Sequence, residues 1–186
     1  MKNVVLCGFM GSGKSSVGAA MAALTGARFV DMDRYIEKQE GKRVSAIFRE
    51  KGEAYFRELE KRAAASLSRQ SGQIIATGGG AVMRAENVRA FRKGGVIVLL
   101  DVPLYVVQKR LHGDRSRPLL NAPDRGRALR ELYKKRLPFY RAAADLVVEN
   151  RGDLPVSQMA ERVWQAVQNL PDFCAGLEPE PPTDLF

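Results

Sequence analysis

Residues 8–15 read Gly-Phe-Met-Gly-Ser-Gly-Lys-Ser, the spacing G-x-x-x-x-G-K-S of a phosphate-binding loop. The apolar run Val4-Val5-Leu6 precedes it, and a stretch with apolar residues at Val17, Ala20, Met21 and Leu24 follows. The order is strand, glycine loop, helix. Glycines let successive backbone N–H groups converge on phosphate oxygens. A helix starting near Lys14 adds unpaired donors and a positive dipole end. In such a loop Lys14 reaches the β and γ phosphates of a nucleotide, and the Ser15 hydroxyl can hold Mg²⁺.

Thr25-Gly26 closes that helix. Residues 27–33, Ala-Arg-Phe-Val-Asp-Met-Asp, read as a second strand finishing in acid. Residues two apart in an extended segment face the same way, so Asp31 and Asp33 would point together. The competing reading makes one of them the N-cap of a helix opening at Arg34. Residues 34–70 read as charged helix broken at Gly41 and Gly52. Phe56, Leu59, Ala63 and Leu67 give its longest piece an apolar face, and Arg57 with Glu60 is spaced for a local ion pair. Residues 73–77 form a third strand that runs into Gly78-Gly79-Gly80. Three glycines are costly in chain entropy and suit a backbone that a ligand approaches closely.

A helix over 85–93 ends at Gly94-Gly95 and leads to a fourth strand, 96–101. That strand is apolar until Asp101, as strands buried on both faces are. A helical stretch spans 103–111. Residues 112–124 carry two prolines, one glycine and two arginines with no periodicity, the pattern of a functional lid. A basic helix over 125–140 should end or kink at Pro138. A fifth strand covers 145–149 and a last helix 156–169. Five strands alternating with helices predict an α/β fold, a parallel sheet covered on both faces.

The 186 residues suit one domain. The net charge is +9, although residues 171–186 hold four acids and no Lys or Arg. The remainder is therefore more basic still and suits an anionic partner, either nucleic acid or a nucleotide with an acidic small molecule. No basic patch interleaved with aromatics supports nucleic acid. Cys7 and Cys174 show neither metal-ligand nor disulfide spacing. No apolar run has transmembrane length, and Met1 leads straight into a strand. A cytoplasmic protein is expected. The tail from Pro171 is proline-rich and expected to be flexible.

The phosphate loop, Asp31-Met32-Asp33, Phe56-Arg57-Glu58-Leu59-Glu60, Thr77-Gly78-Gly79-Gly80, Arg117-Pro118-Leu119-Leu120 and Arg136-Leu137-Pro138-Phe139-Tyr140 occur in this order. As a set they resemble the shikimate kinase family, over about residues 2–168. The resemblance implies a three-layer P-loop kinase domain over 1–170, with a substrate-binding region at 32–62 and a lid at 112–124. It implies transfer of the γ-phosphoryl of ATP to the 3-hydroxyl of shikimate in aromatic amino-acid biosynthesis. Gly11, Ser12, Gly13, Lys14, Ser15 and Ser16 would hold the phosphates, and Ser15 with Asp31 the Mg²⁺. Asp33, Arg57, Gly78, Gly79, Gly80 and Arg136 would bind shikimate. Arg117 would reach the phosphates from the lid, and Arg110 and Arg151 would contact adenine. Lys14, Asp33 and Arg117 would serve the chemical step. Asp101 is a reserve for an acid facing the loop. The partners expected are ATP and shikimate, with neither nucleic acid nor membrane, in a monomer. The alternatives are a P-loop kinase of another small polyol acid or a nucleotide, and a nucleic-acid-binding protein that uses ATP as a switch.

Overall fold

The computed structural model describes residues 1–112, 124–171 and 173. The expected lid, including Arg117, and most of the expected tail lie outside the described residues. The strands are β1 (Asn3–Cys7), β2 (Arg28–Asp31), β3 (Gln73–Ala76), β4 (Gly95–Asp101) and β5 (Leu146–Glu149). They form one parallel sheet in the order β2-β3-β1-β4-β5. The helices are α1 (Lys14–Thr25), α2 (Met32–Glu40), α3 (Val44–Leu67), α4 (Ala85–Gly94), α5 (Leu104–Arg110), α6 (Arg125–Ala143) and α7 (Val156–Gln168). A short 3₁₀ turn covers Ala81–Met83.

Alternation along the strands explains the three layers. Val5, Cys7, Ile75, Ile97 and Leu99 pack with Ile36, Phe56, Leu59, Phe91 and Tyr140 on one face. Val4, Leu6, Ile74, Val98 and Leu100 pack with Val17, Met21, Met159 and Val163 on the other. Both faces are covered, as near-continuous apolar strands require. β1 lies between β3 and β4, so its carboxyl end opens into the crevice where ligands bind in open α/β sheets.

Four expectations meet a definite outcome, three of them a correction. The second strand stops at Asp31, and Asp33 lies in the first turn of α2. Asp31 caps that helix, its Oδ1 accepting from the N–H groups of Asp33 and Arg34 at 3.1 and 3.2 Å. The capping reading therefore holds, because Met32 can bury as well in a helix turn as in a strand (0% exposed). Second, the expected breaks are both present: Gly52 (φ 78°, ψ 174°) is non-helical and divides α3 into two helical pieces across a kink, and Gly41 closes α2 in the left-handed region. Third, α6 runs past Pro138 to Ala143. The ring removes one helical hydrogen bond, but Arg136, Tyr140 and Ala143 are all buried and hold the helix on the sheet. Fourth, the packed body reaches beyond residue 170, since Phe173 is 3% exposed and stacks edge-on against Trp164.

Candidate active site

The loop between β1 and α1 is built on glycines in the left-handed half of backbone space, Gly8 (φ 142°), Gly11 (φ 75°) and Gly13 (φ 92°). Gly8 is also sterically fixed, since a Cβ there would lie 2.8 Å from the Leu100 carbonyl oxygen of β4. Gly13 is the N-cap of α1 and offers no side chain to the helix end. The first-turn N–H groups are thus aimed into the loop, where an anion can take them. Lys14 is 8% exposed, and its ammonium donates to the carbonyls of Gly8 (2.9 Å) and Phe9 (3.0 Å) and to Ser12 Oγ (3.3 Å). That grip holds the cation directly over the loop.

Ser15 Oγ donates to Asp31 Oδ2 at 2.6 Å. Two hard oxygens side by side at the loop mouth suit Mg²⁺, which takes few protein ligands and completes its shell with water and phosphate oxygens. Asp101 is not part of this group. Its carboxylate accepts from Arg141 Nη2 at 3.0 Å, which ties α6 to the end of β4.

On one side of the loop lies a cavity of about 380 Å³ whose walls include Gly11, Gly13, Ser16, Arg110, Asn150 and Leu154. Arg110 Nη1 donates to the Gly11 carbonyl at 2.9 Å. Arg151 does not line it. Its guanidinium forks onto the Glu149 carboxylate at 2.9 and 3.0 Å. Asn150 takes that place instead. It is buried, and its amide donates to the Ser12 carbonyl at 3.2 Å while its Oδ1 accepts from Gly152 N–H. An Asn ending a strand before a glycine-containing loop is an ordinary turn signal, so its role was not legible from sequence.

On the other side lies a cavity of about 290 Å³ that contains every residue expected to bind the acceptor, Asp33, Arg57, Gly78, Gly79, Gly80 and Arg136. Met10 of the phosphate loop forms part of its wall, so the two cavities meet at that loop. Glu37, Arg43, Val44, Ser45, Phe48, Phe56 and Glu60 complete the lining. Arg57 is held between two carboxylates, at 2.6 Å from Glu60 Oε2 and 2.6 Å from Glu53 Oε1. Burial presses its pKa down, and Glu60 and Glu53 outweigh that, leaving it above the usual arginine value. Burial raises the Glu60 carboxyl, Arg57 opposes this, and the nearby Asp33 adds to it. Arg136, 9% exposed, donates to the Gly79 carbonyl at 3.3 Å.

The triple glycine has a more specific reason than ligand approach. A Cβ on Gly78 would lie 2.7 Å from Asp33 Oδ1 and 2.8 Å from Glu60 Oε1, and one on Gly80 would fall inside the Arg57 guanidinium. Two of the three glycines therefore admit the protein's own charged side chains. Gly79 alone is open. A Cβ there would meet nothing nearer than 3.9 Å, the neighbours being Met10 N, Tyr140 Oη and Arg136 Nη1. Sequence reading treated Glu60 only as a salt-bridge partner for Arg57, and missed that its buried carboxylate stands on the cavity wall.

A phosphate loop flanked by one cavity for a nucleotide and one lined with guanidinium groups and a carboxylate defines a P-loop phosphotransferase for a small anionic acceptor. The family model described as shikimate kinase matches residues 10–168. A shikimate kinase of Persephonella marina is 45% identical over 155 residues, covering 83% of this chain and 93% of the relative. One of Psychrobacter cryohalolentis is 39% identical over 186 residues, covering 99% and 98%. The structure of shikimate kinase from Acinetobacter baumannii in complex with shikimate superposes with a TM-score of 0.86 at 33% identity, over 90% of this chain and 93% of that one. The chain belongs to the shikimate kinase family.

Proposed function

We propose that this protein transfers the γ-phosphoryl of ATP to the 3-hydroxyl of shikimate, giving shikimate 3-phosphate and ADP, the family's step in aromatic amino-acid biosynthesis. The observation that carries the reading is the convergence of Asp33, Arg57, Arg136 and Gly78–Gly80 on one cavity that shares Met10 with the phosphate loop. Shikimate has one carboxylate and three ring hydroxyls. A guanidinium grips a carboxylate through two parallel N–H donors, and Arg57 and Arg136 supply that charge match. Asp33 accepts hydrogen bonds from ring hydroxyls and stands ready to take the proton of the attacking one.

Lys14 and the N–H groups opening α1 offset the charge that spreads over the phosphoryl oxygens in the transition state. Ser15 and Asp31 would hold Mg²⁺, which supplies Lewis-acid neutralisation of the phosphate oxygens when bound. Arg110 stands on the nucleotide side, and Arg117 would add a further cation from the segment between α5 and α6. Because one chain supplies both cavities, the reading takes the enzyme as a monomer, working on cytoplasmic ATP. No helix among the described residues is long and apolar enough to cross a membrane.

The test is ADP release with shikimate, quinate, gluconate and nucleoside monophosphates offered separately. Shikimate should stimulate turnover well above the others, and its failure to do so removes the reading. A chain carrying Asp31→Asn should need more Mg²⁺ for half-maximal rate, and an unchanged requirement removes Asp31 from the metal site.

A further inference from the structure

The Gly79 carbonyl is held twice from α6. Arg136 Nη1 donates to it, and so does the Tyr140 hydroxyl one turn further on. Tyr140 is 1% exposed and is not among the residues lining the arginine-lined cavity. Burial pushes its phenol up to about 12, so it keeps its proton and remains a donor through the whole range in which an enzyme works. Gly79 has no helix or strand bonds to fix it. Among the described residues the N–H groups of Gly79 and Gly80 find no acceptor.

A trans peptide unit is planar, and its C=O and N–H point in opposite directions. Holding the Gly79 oxygen therefore sets the direction of the Gly80 N–H, which belongs to the same plane. Glycine is the residue least able to hold a direction by itself. Arg136 cannot be a fixed post for this purpose, because its guanidinium is also the group that meets the substrate's carboxylate.

We propose that Tyr140 is a positioning residue for the acceptor, acting through the Gly79 carbonyl to aim the Gly80 N–H at the bound ring alcohol. Removing its hydroxyl leaves that carbonyl with Arg136 as its one donor among the described residues. Arg136 is then shared between the loop and the carboxylate, and both tasks suffer. The proposal rests on the reading that the arginine-lined cavity takes shikimate.

The experiment is Tyr140→Phe, which keeps the buried ring. One hydrogen bond of ordinary strength predicts a shikimate KM raised about ten-fold, with ATP KM within about two-fold. Melting should stay within about 3 °C of the parent. A merely structural role would instead lower melting and weaken both substrates alike, and that result overturns the proposal. A second measurement needs no turnover. In the protein without ligand, the amide resonance of Gly80 should move on substitution while those of Gly11 and Gly13 stay, and a static Gly80 resonance also overturns it. Calorimetry with shikimate on the parent chain separates the two levels. Loss of binding there removes the functional reading and this proposal together. Binding by the parent with equal binding by Tyr140→Phe removes this proposal alone.

Discussion

Glu60, not Arg57, is the buried member of the pair that joins them. Its side chain is 1% exposed against 14% for the arginine side chain, with 2.6 Å between Oε2 and Nη1. The glutamate is thus the fixed post and the arginine the arm it aims into the acceptor cavity. Glu60→Ala should raise shikimate KM by about ten-fold or more and leave ATP KM near the parent value, since the lost term is a largely buried charge pair. Steady-state kinetics with each substrate varied in turn checks this.

The same carboxyl gives a pH signature. Its native pKa is raised by burial above the ordinary glutamate value. The folded chain therefore binds this proton more tightly than the unfolded chain does. The resulting stabilisation is full below the unfolded pKa of about 4.3 and is lost as pH rises through the native value. In urea melts from pH 4 to 8, the parent should lose stability relative to Glu60→Gln as pH rises. A difference that is flat or grows with pH would contradict the assignment.

Gly79→Ala and Gly80→Ala should part company. At Gly79 the new methyl has 3.9 Å to its nearest neighbour, so the fold tolerates it, and any loss of shikimate affinity comes from the room the methyl takes in the cavity. At Gly80 it strikes Arg57, which must leave Glu60. Displacing that charge should cost about 2 kcal/mol of shikimate binding, about thirty-fold. Calorimetric titration together with thermal melting distinguishes the two.

Asn150→Ala removes the amide that holds the Ser12 carbonyl and leaves the buried oxygen without that donor. A loss of about 1–2 kcal/mol in stability is expected, with a raised ATP KM and an unchanged shikimate KM. Arg151→Ala serves as the control. It breaks only an exposed pair with Glu149 and should leave both KM values within about two-fold.

Cys7 is fully buried at the end of β1, and burial pushes its thiol up to about 12. At pH 8 only about one part in ten thousand is thiolate. In a Cys174→Ser background the native chain should therefore be silent to a thiol-specific chromogenic reagent and titrate one thiol after unfolding. Rapid native labelling would show that β1 opens.

Much of this was legible because loop glycines and strand alternation leave local marks. The phosphate loop could be read from eight consecutive residues, and the face of α3 from Phe56, Leu59, Ala63 and Leu67. Asp33 was misplaced onto a strand, because Asp31-Met32-Asp33 satisfies a period of two as well as it satisfies a cap followed by a first turn. Pro138 was given too much weight. A local penalty was set against burial of Arg136 and Tyr140, which only the tertiary structure reveals. Arg151 and Asn150 are adjacent in sequence and differ only in which side of the loop they take. The family resemblance marked the motif ending in Tyr140, while the hydrogen bond from its hydroxyl to Gly79 spans 61 positions and leaves no trace in spacing.

Asp31 spends its two oxygens in opposite directions, one on the backbone that opens α2 and the other on the Ser15 hydroxyl. The nucleotide half of the enzyme and the acid at Asp33 are therefore hinged on a single carboxylate. On the proposed reading, a metal–phosphate group held by Asp31 would bear on the same helix turn that carries Asp33 into the wall of the arginine-lined cavity.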